Sequence, residues 1–174
     1  AKQIIYLSGI INNEKELSKH LSSRLNVEKI LQTANAKTTI LRAAIIIGSG
    51  SGSFEIIRDL AEKLPVMITP KWLKTKCQPI AIRNVLDYLL GVMNKNDALG
   101  KIFDIGGPDI LTYKEMIQSY AKVRGLKRFI ISVPVLTPRL SSYWLYFVTS
   151  TNFQLAKSLV DSMKNKVVCE IDGI

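Results

Sequence analysis

Histidine and cysteine are scarce in this sequence, and their scarcity excludes several kinds of active site. The 174 residues contain one histidine, His20, and two cysteines, Cys77 and Cys169, which lie far apart and form no C-x-x-C pair. No cluster of Cys, His and Asp has the spacing of zinc ligands, so we expect no metal site. The cysteines are expected to be ordinary thiols in a reducing compartment.

The common nucleotide-binding and nucleophile motifs are also absent. The sequence has no Walker A motif, no G-x-G-x-x-G and no G-x-S-x-G. The turn GSGSGS that begins at Gly48 joins a strand to a helix amino terminus, where free N–H groups favour anions. It lacks the lysine of a phosphate loop, so a flexible turn is the simpler interpretation, and both stay open.

Basic charge is abundant but not concentrated. The formal net charge is +10 and the pI is about 9.7, which favours an anionic partner such as a nucleic acid, a membrane surface or a phosphorylated cofactor. Arginine-rich arms, zinc fingers and aromatic RNA-binding signatures are missing. We expect a solvated basic surface and no nucleic-acid partner. The basic residues are densest in two short groups: Lys71, Lys74 and Lys76, and Arg124, Lys127 and Arg128.

Neither a signal peptide nor a membrane-spanning segment is predicted. Residue 1 opens directly into a strand-like stretch in place of the charged and apolar regions of a leader. The most apolar late stretch, Phe129 to Thr149, is interrupted by Pro134, Pro138 and Arg139, which makes it unsuited to crossing a bilayer. We expect a soluble cytoplasmic protein with no membrane partner.

Strand and helix patterns alternate along the chain. Hydrophobic residues make up 47% and charged residues 22%, which suits a globular domain. KQIIYLSG (Lys2 to Gly9) reads as an apolar strand, a helix follows from about Ser18, and TTILRAAIIIGSGSGS (Thr38 to Ser53) is an apolar strand ending in the Gly/Ser turn. A strand that is apolar on both faces belongs inside a parallel sheet covered by helices. These segments predict a βαβ unit in an α/β fold.

The later segments continue this alternation. After the Gly/Ser turn comes a helix capped by a serine of that turn, and then a polar loop, Pro70 to Pro79. The next helix is predicted at Asn84 to Met93. Thr112 and Glu115 form a T-x-x-E capping box at the start of the helix that follows, and Gly125 is at the C′ position just past its end. Further strands are predicted at VMIT, QPIAI, KIFDI and KRFIISV, and the tail is predicted to form two helices, PRLSSYWLYFV and NFQLAKSLVDSMKN, and a last strand, KVVCEID.

A hydroxyl, an imidazole and a guanidinium are the candidates for chemistry. Ser8 lies at the end of the first strand, and His20-x-x-x-Arg24 lies on the helix that follows. Residues i and i+4 share a helix face, so His20 and Arg24 can point toward one place. If that face meets the strand end, the three groups converge. The simpler interpretation is that His20 and Arg24 lie on the solvated side of an amphipathic helix.

Five stretches in order resemble a known family: KQIIYLSG, SKHLSSR…VEKIL, TTILRAAIIIG, QPIAIRNVLDYL and FDIGGPDILTYKEM. They look like the second half of an atypical or extended short-chain dehydrogenase/reductase, most similar to the NmrA-like, YbjT-type NAD(P)-binding proteins formerly described as nucleoside-diphosphate-sugar epimerase-like. The resemblance runs from residue 1 through about residue 125, and PVLTPRLSSYW is also similar to that subgroup. It implies an α/β fold that is a partial Rossmann-type, doubly wound parallel sheet lacking its amino-terminal strands, with a small carboxyl-terminal substrate region.

The resemblance also implies two regions and an incomplete cofactor site. Residues 1–125 would be the carboxyl-terminal half of a Rossmann-like NAD(P)-binding domain, and residues 126–174 a carboxyl-terminal α/β substrate or cap extension. The family's Gly-rich pyrophosphate loop belongs to the half that this sequence does not contain. We therefore expect NAD(P) as the cofactor of the intact protein and no tight dinucleotide binding by these residues alone.

Functional residues carry over from the family by position. Ser8 would be the active-site serine, while His20 and Arg24 take the places of the catalytic tyrosine and lysine of Y-x-x-x-K. Histidine and arginine titrate differently from that pair, so the family's acid-base chemistry does not carry over directly. Asn84, where an acidic residue is common, is expected to cap a helix. The nicotinamide would face Arg42, Ala43, Ala44 and Ile45, and the substrate cleft would be lined by Gly48, Ser49, Phe54, Trp72, Gln78 and Ile80.

Three functions are compatible with these expectations. The intact protein could be an NAD(P)-dependent oxidoreductase or epimerase-like enzyme acting on a small-molecule substrate. It could instead bind NAD(P) as a sensor without turnover. The mean hydropathy of +0.15 also suits an interaction module that forms a homodimer through an exposed sheet.

Overall fold

The computed structural model describes residues 2–12, 17–69, 71–132, 163 and 165–170. The chain divides into two units. The first unit comprises Ala1–Ile47, Gln78–Asp109 and Val167–Ile174, and the second unit comprises Gly48–Cys77 and Ile110–Lys166. The α-helices are α1 (Lys19–Gln32), α2 (Gly52–Lys63), α3 (Ile82–Gly91) and α4 (Tyr113–Val123). The strands are β1 (Gln3–Gly9), β2 (Lys37–Ala43), β3 (Ile46–Ile47), β4 (Val66–Thr69), β5 (Lys76–Cys77), β6 (Ile80–Ala81), β7 (Ile102–Ile105), β8 (Leu111–Thr112) and β9 (Phe129–Ser132).

A parallel three-stranded sheet forms the centre of the first unit. Its strand order is β1-β2-β7, and β2 pairs in parallel with both neighbours. Near the carboxyl ends of the strands, Ser8 is in register with Arg42, and Arg42 is in register with Asp104. Residues in register on neighbouring strands project to the same face of a sheet. Ser8, Arg42 and Asp104 therefore form one polar row across that face.

The central strand β2 is buried on both faces, as its apolar sequence predicts. Ile40 and Leu41, which project to opposite faces, are both inaccessible to solvent. On one face Leu41 joins a core cluster that includes Val85 of α3 and Ile105 of β7. On the other face the sheet meets α1. Helices on both faces of a parallel sheet are the arrangement that the sequence predicts.

The apolar run after Thr38 does not form the single strand predicted for it. β2 ends at Ala43, the backbone bends at Ala44, and the next two residues form β3, which pairs with β6 in a separate parallel pair. Two hydrogen bonds fix the change of direction: Ile10 N donates to the carbonyl of Ala43 (3.1 Å), and Ile80 N donates to the carbonyl of Ile45 (2.9 Å). The backbone thus changes partners in the middle of a uniformly apolar sequence.

Helix α1 begins where the sequence predicts. Ser18 is the N-cap residue, and its Oγ accepts a hydrogen bond from the N–H of Leu21 (3.3 Å). Leu21, Leu25 and Glu28 are its buried residues, and their i, i+4, i+7 spacing marks the face that packs on the sheet. A carboxylate on this apolar face needs a partner, and the sheet provides one.

The second unit is built around the pair α2 and α4. The ring of Phe54 on α2 meets Tyr120 on α4 edge to face, with centroids 5.9 Å apart. Two short sheets accompany the helices: β4 pairs in parallel with β9, and β5 pairs antiparallel with β8. The predicted capping box of Thr112 and Glu115 is confirmed at the start of α4, and Gly125 follows its end with a φ of +67°.

Several local predictions need correction. Asn84 is not a cap, because α3 begins two residues earlier and Ala81 is its N-cap residue. The predicted polar loop Pro70 to Pro79 contains a short 3₁₀ helix, Lys71–Lys74, and β5. In place of the predicted last strand, the described residues 165–170 hold a single β-bridge at Val167. The first predicted tail helix lies outside the described residues, as does the second apart from Met163 and Asn165. The boundary between 1–125 and 126–174 stays a prediction.

No helix in the described ranges is long and apolar enough to cross a bilayer.

The turn after β7 depends on a glycine at position 107. Its N–H donates to the carbonyl of Pro79 (2.9 Å), and a Cβ on Gly107 would lie 2.4 Å from that oxygen. Gly107→Ala should therefore lower the free energy of unfolding by at least about 1–3 kcal/mol. Gly91→Ala is the matched control, because nothing lies within 4 Å of its added methyl group, and it should be neutral or stabilising by about 0.4–1 kcal/mol. Urea denaturation measures both, and equal effects would contradict this account of the turn.

Candidate functional site

The first feature of the site is a buried hydroxyl at the end of β1. Ser8 is 4% exposed, and no group among the described residues forms a hydrogen bond with its Oγ. A buried hydroxyl without a partner is costly by about 1–3 kcal/mol, so such a group calls for an explanation. Here the hydroxyl lies at the carboxyl edge of a parallel sheet, where α/β proteins bind their ligands.

His20 and Arg24 come together beside this strand end. Arg24 Nε donates a hydrogen bond to His20 Nε2 (3.2 Å), and Arg24 Nη1 donates to the carbonyl oxygen of Leu7 (3.0 Å). The two side chains therefore share one face of α1, as their spacing predicts. Because Leu7 directly precedes Ser8, the guanidinium links the imidazole to the backbone of the strand that carries the serine.

The environment of His20 favours the neutral imidazole. Partial burial lowers its pKa below the usual 6.5, and the positive charge of Arg24 lowers it further. The lowered pKa favours the uncharged form of His20 near neutral pH. A neutral imidazole has one nitrogen that donates a hydrogen bond and one that accepts.

A glycine allows the start of α1 to lie close to the end of β1. A Cβ on Gly9 would lie 2.9 Å from Cδ2 of Leu21 and 3.8 Å from Cδ of Arg24. A larger residue at position 9 would require the side chain of Leu21 to shift.

Arg42 occupies the middle of the polar row and pairs with a buried carboxylate on α1. Its Nη2 lies 2.6 Å from Glu28 Oε2, and its Nε lies 3.2 Å from both carboxylate oxygens. Glu28 is 1% exposed. Glu28 was not predicted as a site residue from the sequence, although its position on the same helix face as Leu21 and Leu25 was a usable signal. The guanidinium of Arg42, which was predicted to face a cofactor, is thus held by an ion pair with α1.

The third member of the row, Asp104, fixes the carboxyl-terminal segment 165–170. Its Oδ2 accepts a hydrogen bond from the N–H of Glu170 (3.0 Å). The same segment is held by Asn12, whose Nδ2 donates to the carbonyl of Val168 (2.8 Å), and by Gln78, whose Oε1 accepts from the N–H of Cys169 (3.1 Å). Burial raises the pKa of the Cys169 thiol, and the charge of Asp104 raises it further.

Gln78 was predicted to line the substrate cleft, but both polar atoms of its side chain form hydrogen bonds within the fold. While its oxygen accepts from Cys169, its Nε2 donates to the carbonyl of Gly107 (2.8 Å). A Cβ on Gly106 would lie 2.7 Å from Cδ of Gln78 and 2.8 Å from Sγ of Cys169, so the packing is tight. Ile80, predicted for the same cleft, is 1% exposed and belongs to the core cluster.

The other predicted positions divide between the two units. Ala43 and Ile45 are buried at the end of β2 and after it, and Ala44 is half-buried at the bend between them. The predicted residues Gly48, Ser49, Phe54 and Trp72 belong to the second unit. There, Phe54 packs against Tyr120, and Trp72 lies in the 3₁₀ helix with its side chain outside the described part.

The Gly/Ser turn already satisfies part of its own backbone. The N–H of Gly50 donates to the carboxylate of Glu55 (3.2 Å), and the N–H of Ser51 donates to the carbonyl of Gly48 (3.2 Å). A carboxylate from the first turn of α2 therefore takes a position that a phosphate would need. This contact favours the interpretation of GSGSGS as a turn over that of a phosphate loop.

Solved structures identify the fold, whereas sequence comparisons identify no relative. No protein-family model and no curated protein matches the sequence. A nucleoside-diphosphate-sugar epimerase from Staphylococcus aureus is similar with a TM-score of 0.69 and 13% identity, over 94% of this chain and 55% of that protein. An NADPH-dependent quinone oxidoreductase from Escherichia coli, solved with NADPH, gives a TM-score of 0.72 and 18% identity, over 94% of this chain and 54% of that one.

A UDP-glucuronic acid 4-epimerase from Bacillus cereus, solved with NAD, gives a TM-score of 0.58 and 14% identity, over 93% of this chain and 59% of that protein. The described chain therefore has a Rossmann-like α/β fold, as these neighbours do. It spans a little over half the length of these neighbours. At such low identities the likeness establishes the fold and leaves the activity to be argued from the site.

The buried ion pair under α1 gives a direct test of the site's framework. Glu28→Gln leaves Arg42 without its countercharge, and we expect it to lower the free energy of unfolding by about 3–5 kcal/mol in urea denaturation. Glu55→Gln, which weakens the more exposed pair with Arg58, should cost about 1 kcal/mol or less.

The double variant Glu28→Leu/Arg42→Leu removes both charges and should recover most of the stability lost in Glu28→Gln. If Glu28→Gln were as stable as Glu55→Gln, the ion pair would not be the support that its geometry indicates.

Proposed function

We propose that these residues form the carboxyl-terminal half of an NAD(P)-binding protein of the extended or atypical short-chain dehydrogenase/reductase type, close to the NmrA-like group. The intact protein would act as an oxidoreductase or a nucleotide-sugar epimerase-like enzyme on a small molecule in the cytoplasm. The observation that carries the proposal is the unpartnered, buried hydroxyl of Ser8 at the carboxyl edge of a Rossmann-type sheet, next to the linked side chains of Arg24 and His20.

The described residues suit the nicotinamide end of such a cofactor. The small side chains of Ala43 and Ala44 at the end of β2 allow a flat ring to approach the backbone, and Ile45 follows them. A bound nicotinamide would supply or accept a hydride. The sequence has no G-x-G-x-x-G motif for the pyrophosphate, so we expect residues 1–174 alone to bind a dinucleotide only weakly.

Each polar residue of the site has a separate task in this proposal. Ser8 donates its hydroxyl hydrogen to a substrate oxygen, which gives the buried hydroxyl the partner it lacks. His20 stands in place of the family's tyrosine near the same oxygen. Arg42, held by Glu28, keeps the end of β2 in register with Ser8.

A sensor without turnover is the second candidate. It is favoured by the replacement of the tyrosine and lysine with His20 and Arg24, since a neutral imidazole held by a guanidinium is a poor substitute for a tyrosine-lysine pair. An interaction module is the third. It is favoured by β1, which pairs with β2 alone among the described residues and so presents an apolar edge to a second copy.

Calorimetric titration with NADPH and NADH tests the proposal. For the natural gene product we expect a micromolar dissociation constant, and for the 174-residue chain alone a weaker one. Ala44→Glu, which places a charged side chain at the bend after β2, should weaken binding at least about tenfold, or 1.4 kcal/mol. Ala34→Glu, at an exposed position after α1, is the matched control and should leave binding unchanged.

Turnover separates the candidates. The loss of reduced-nicotinamide absorbance is followed with 1,4-benzoquinone and a panel of carbonyl compounds, and a UDP-sugar is followed by chromatography. Ser8→Ala and His20→Gln should each lower kcat by about 10²-fold or more with little change in the dissociation constant. Binding without turnover would select the sensor. Absence of binding together with a dilution-resistant dimer in light scattering would select the interaction module and overturn the proposal.

A further inference from the structure

Arg24 makes two contacts that together determine how the imidazole of His20 is presented. Its Nε–H points at His20 Nε2 (3.2 Å), while Nη1 is held by the carbonyl of Leu7 (3.0 Å). An arginine side chain has only donors and keeps its proton at all accessible pH values. The nitrogen of His20 that faces Arg24 must therefore be the acceptor, and the proton of the neutral ring must be on Nδ1.

The guanidinium itself is fixed in place by the fold. Its planar fork binds Leu7 with one nitrogen and His20 with another, and its Cδ lies against the space left by Gly9. Leu7 is part of β1, whose backbone is held in register with β2. Lysine has a single terminal nitrogen on a flexible stem and cannot reproduce both contacts with the same geometry.

We propose that Arg24 is a positioning residue that locks His20 in the Nδ1–H tautomer and turns it into a hydrogen-bond donor. Nε2 cannot act as a general base while Arg24 occupies its lone pair. The Nδ1–H is then the group left to meet a ligand oxygen. In this arrangement His20 polarises the oxygen alongside the hydroxyl of Ser8 and retains its own proton.

This role deepens the proposed function and rests on it for the identity of the ligand, but the tautomer itself does not depend on any ligand. The charge that bears on the ring from its own helix is that of Arg24, and it opposes protonation. Partial burial of the ring acts in the same direction, so the lowered pKa of His20 agrees with a ring held neutral.

The single histidine makes the test unusually direct. In the 174-residue chain labelled with ¹⁵N-histidine, every imidazole signal comes from His20. Long-range proton–nitrogen spectra above the pKa distinguish a protonated ring nitrogen from an unprotonated one. We expect Nδ1 to be protonated and Nε2 to be unprotonated, with the pKa found by titration lying below 6.5.

Variants separate positioning from a general structural effect. Arg24→Met keeps an apolar stem but removes the donor, so the Nε2–H tautomer should grow and the pKa of His20 should rise. Arg24→Lys should restore the low pKa through its charge without restoring the tautomer fully. Arg83→Met, which removes an exposed arginine from α3, is the matched control and should change neither signal.

Each result decides the question. Nε2–H as the main tautomer in the unaltered chain would overturn the proposal even if Arg24→Met failed to fold. An unchanged tautomer in a folded Arg24→Met protein would overturn it as well. Because no dinucleotide or substrate is added, a failure to bind NADPH would count against the proposed function and leave this result intact.

Discussion

The site depends on the buried carboxylate of Glu28. Glu28 lies on the face of α1 that packs on the sheet, and it is as buried as the leucines beside it. An unpaired charge in that position would cost several kcal/mol, so the helix can dock only where Arg42 meets it. The ion pair therefore does more than bind two elements together. It fixes which part of α1 lies over which part of β2, and through the register with Ser8 it fixes the first turns of α1 relative to the end of β1.

Local chemistry allowed much of the fold to be predicted. β1, the start of α1 at Ser18 and the capping box of α4 each depend on a few neighbouring residues, and all three are confirmed. The break at Ala44 could not be predicted in the same way, because the residues on both sides are equally apolar and the direction of the chain is set by distant partners, Ile10 and Ile80. The start of α3 could not be predicted from residue type either. Asparagine suits a cap, and Asn84 was assigned as one, but the pairing of β6 moves the helix start to Ile82.

The candidate site shows a similar division. Spacing alone predicted that His20 and Arg24 share a face, since that is a property of one helix. It could not indicate that Arg24 would bind the carbonyl of Leu7, or that Arg42 would be taken by Glu28, because those contacts join residues of different elements. Gln78 illustrates the limit most clearly. The family resemblance assigned Gln78 to the substrate cleft, whereas its side-chain oxygen and nitrogen hold Cys169 and Gly107.

One helix thus carries the framework and the chemistry on adjoining faces. Leu21, Leu25 and Glu28 anchor it to the sheet, while Arg24 reaches the end of β1 and holds His20. A guanidinium that is fixed by a strand carbonyl cannot follow a moving imidazole, so the ring must adapt to the donor that faces it. If His20 and Arg24 take the places of the family's tyrosine and lysine, as proposed, the exchange has a physical consequence beyond a change in pKa. In the proposed tautomer Arg24 determines which ring nitrogen carries the proton, and the buried ion pair one turn further along α1 holds the helix that carries Arg24 against the sheet.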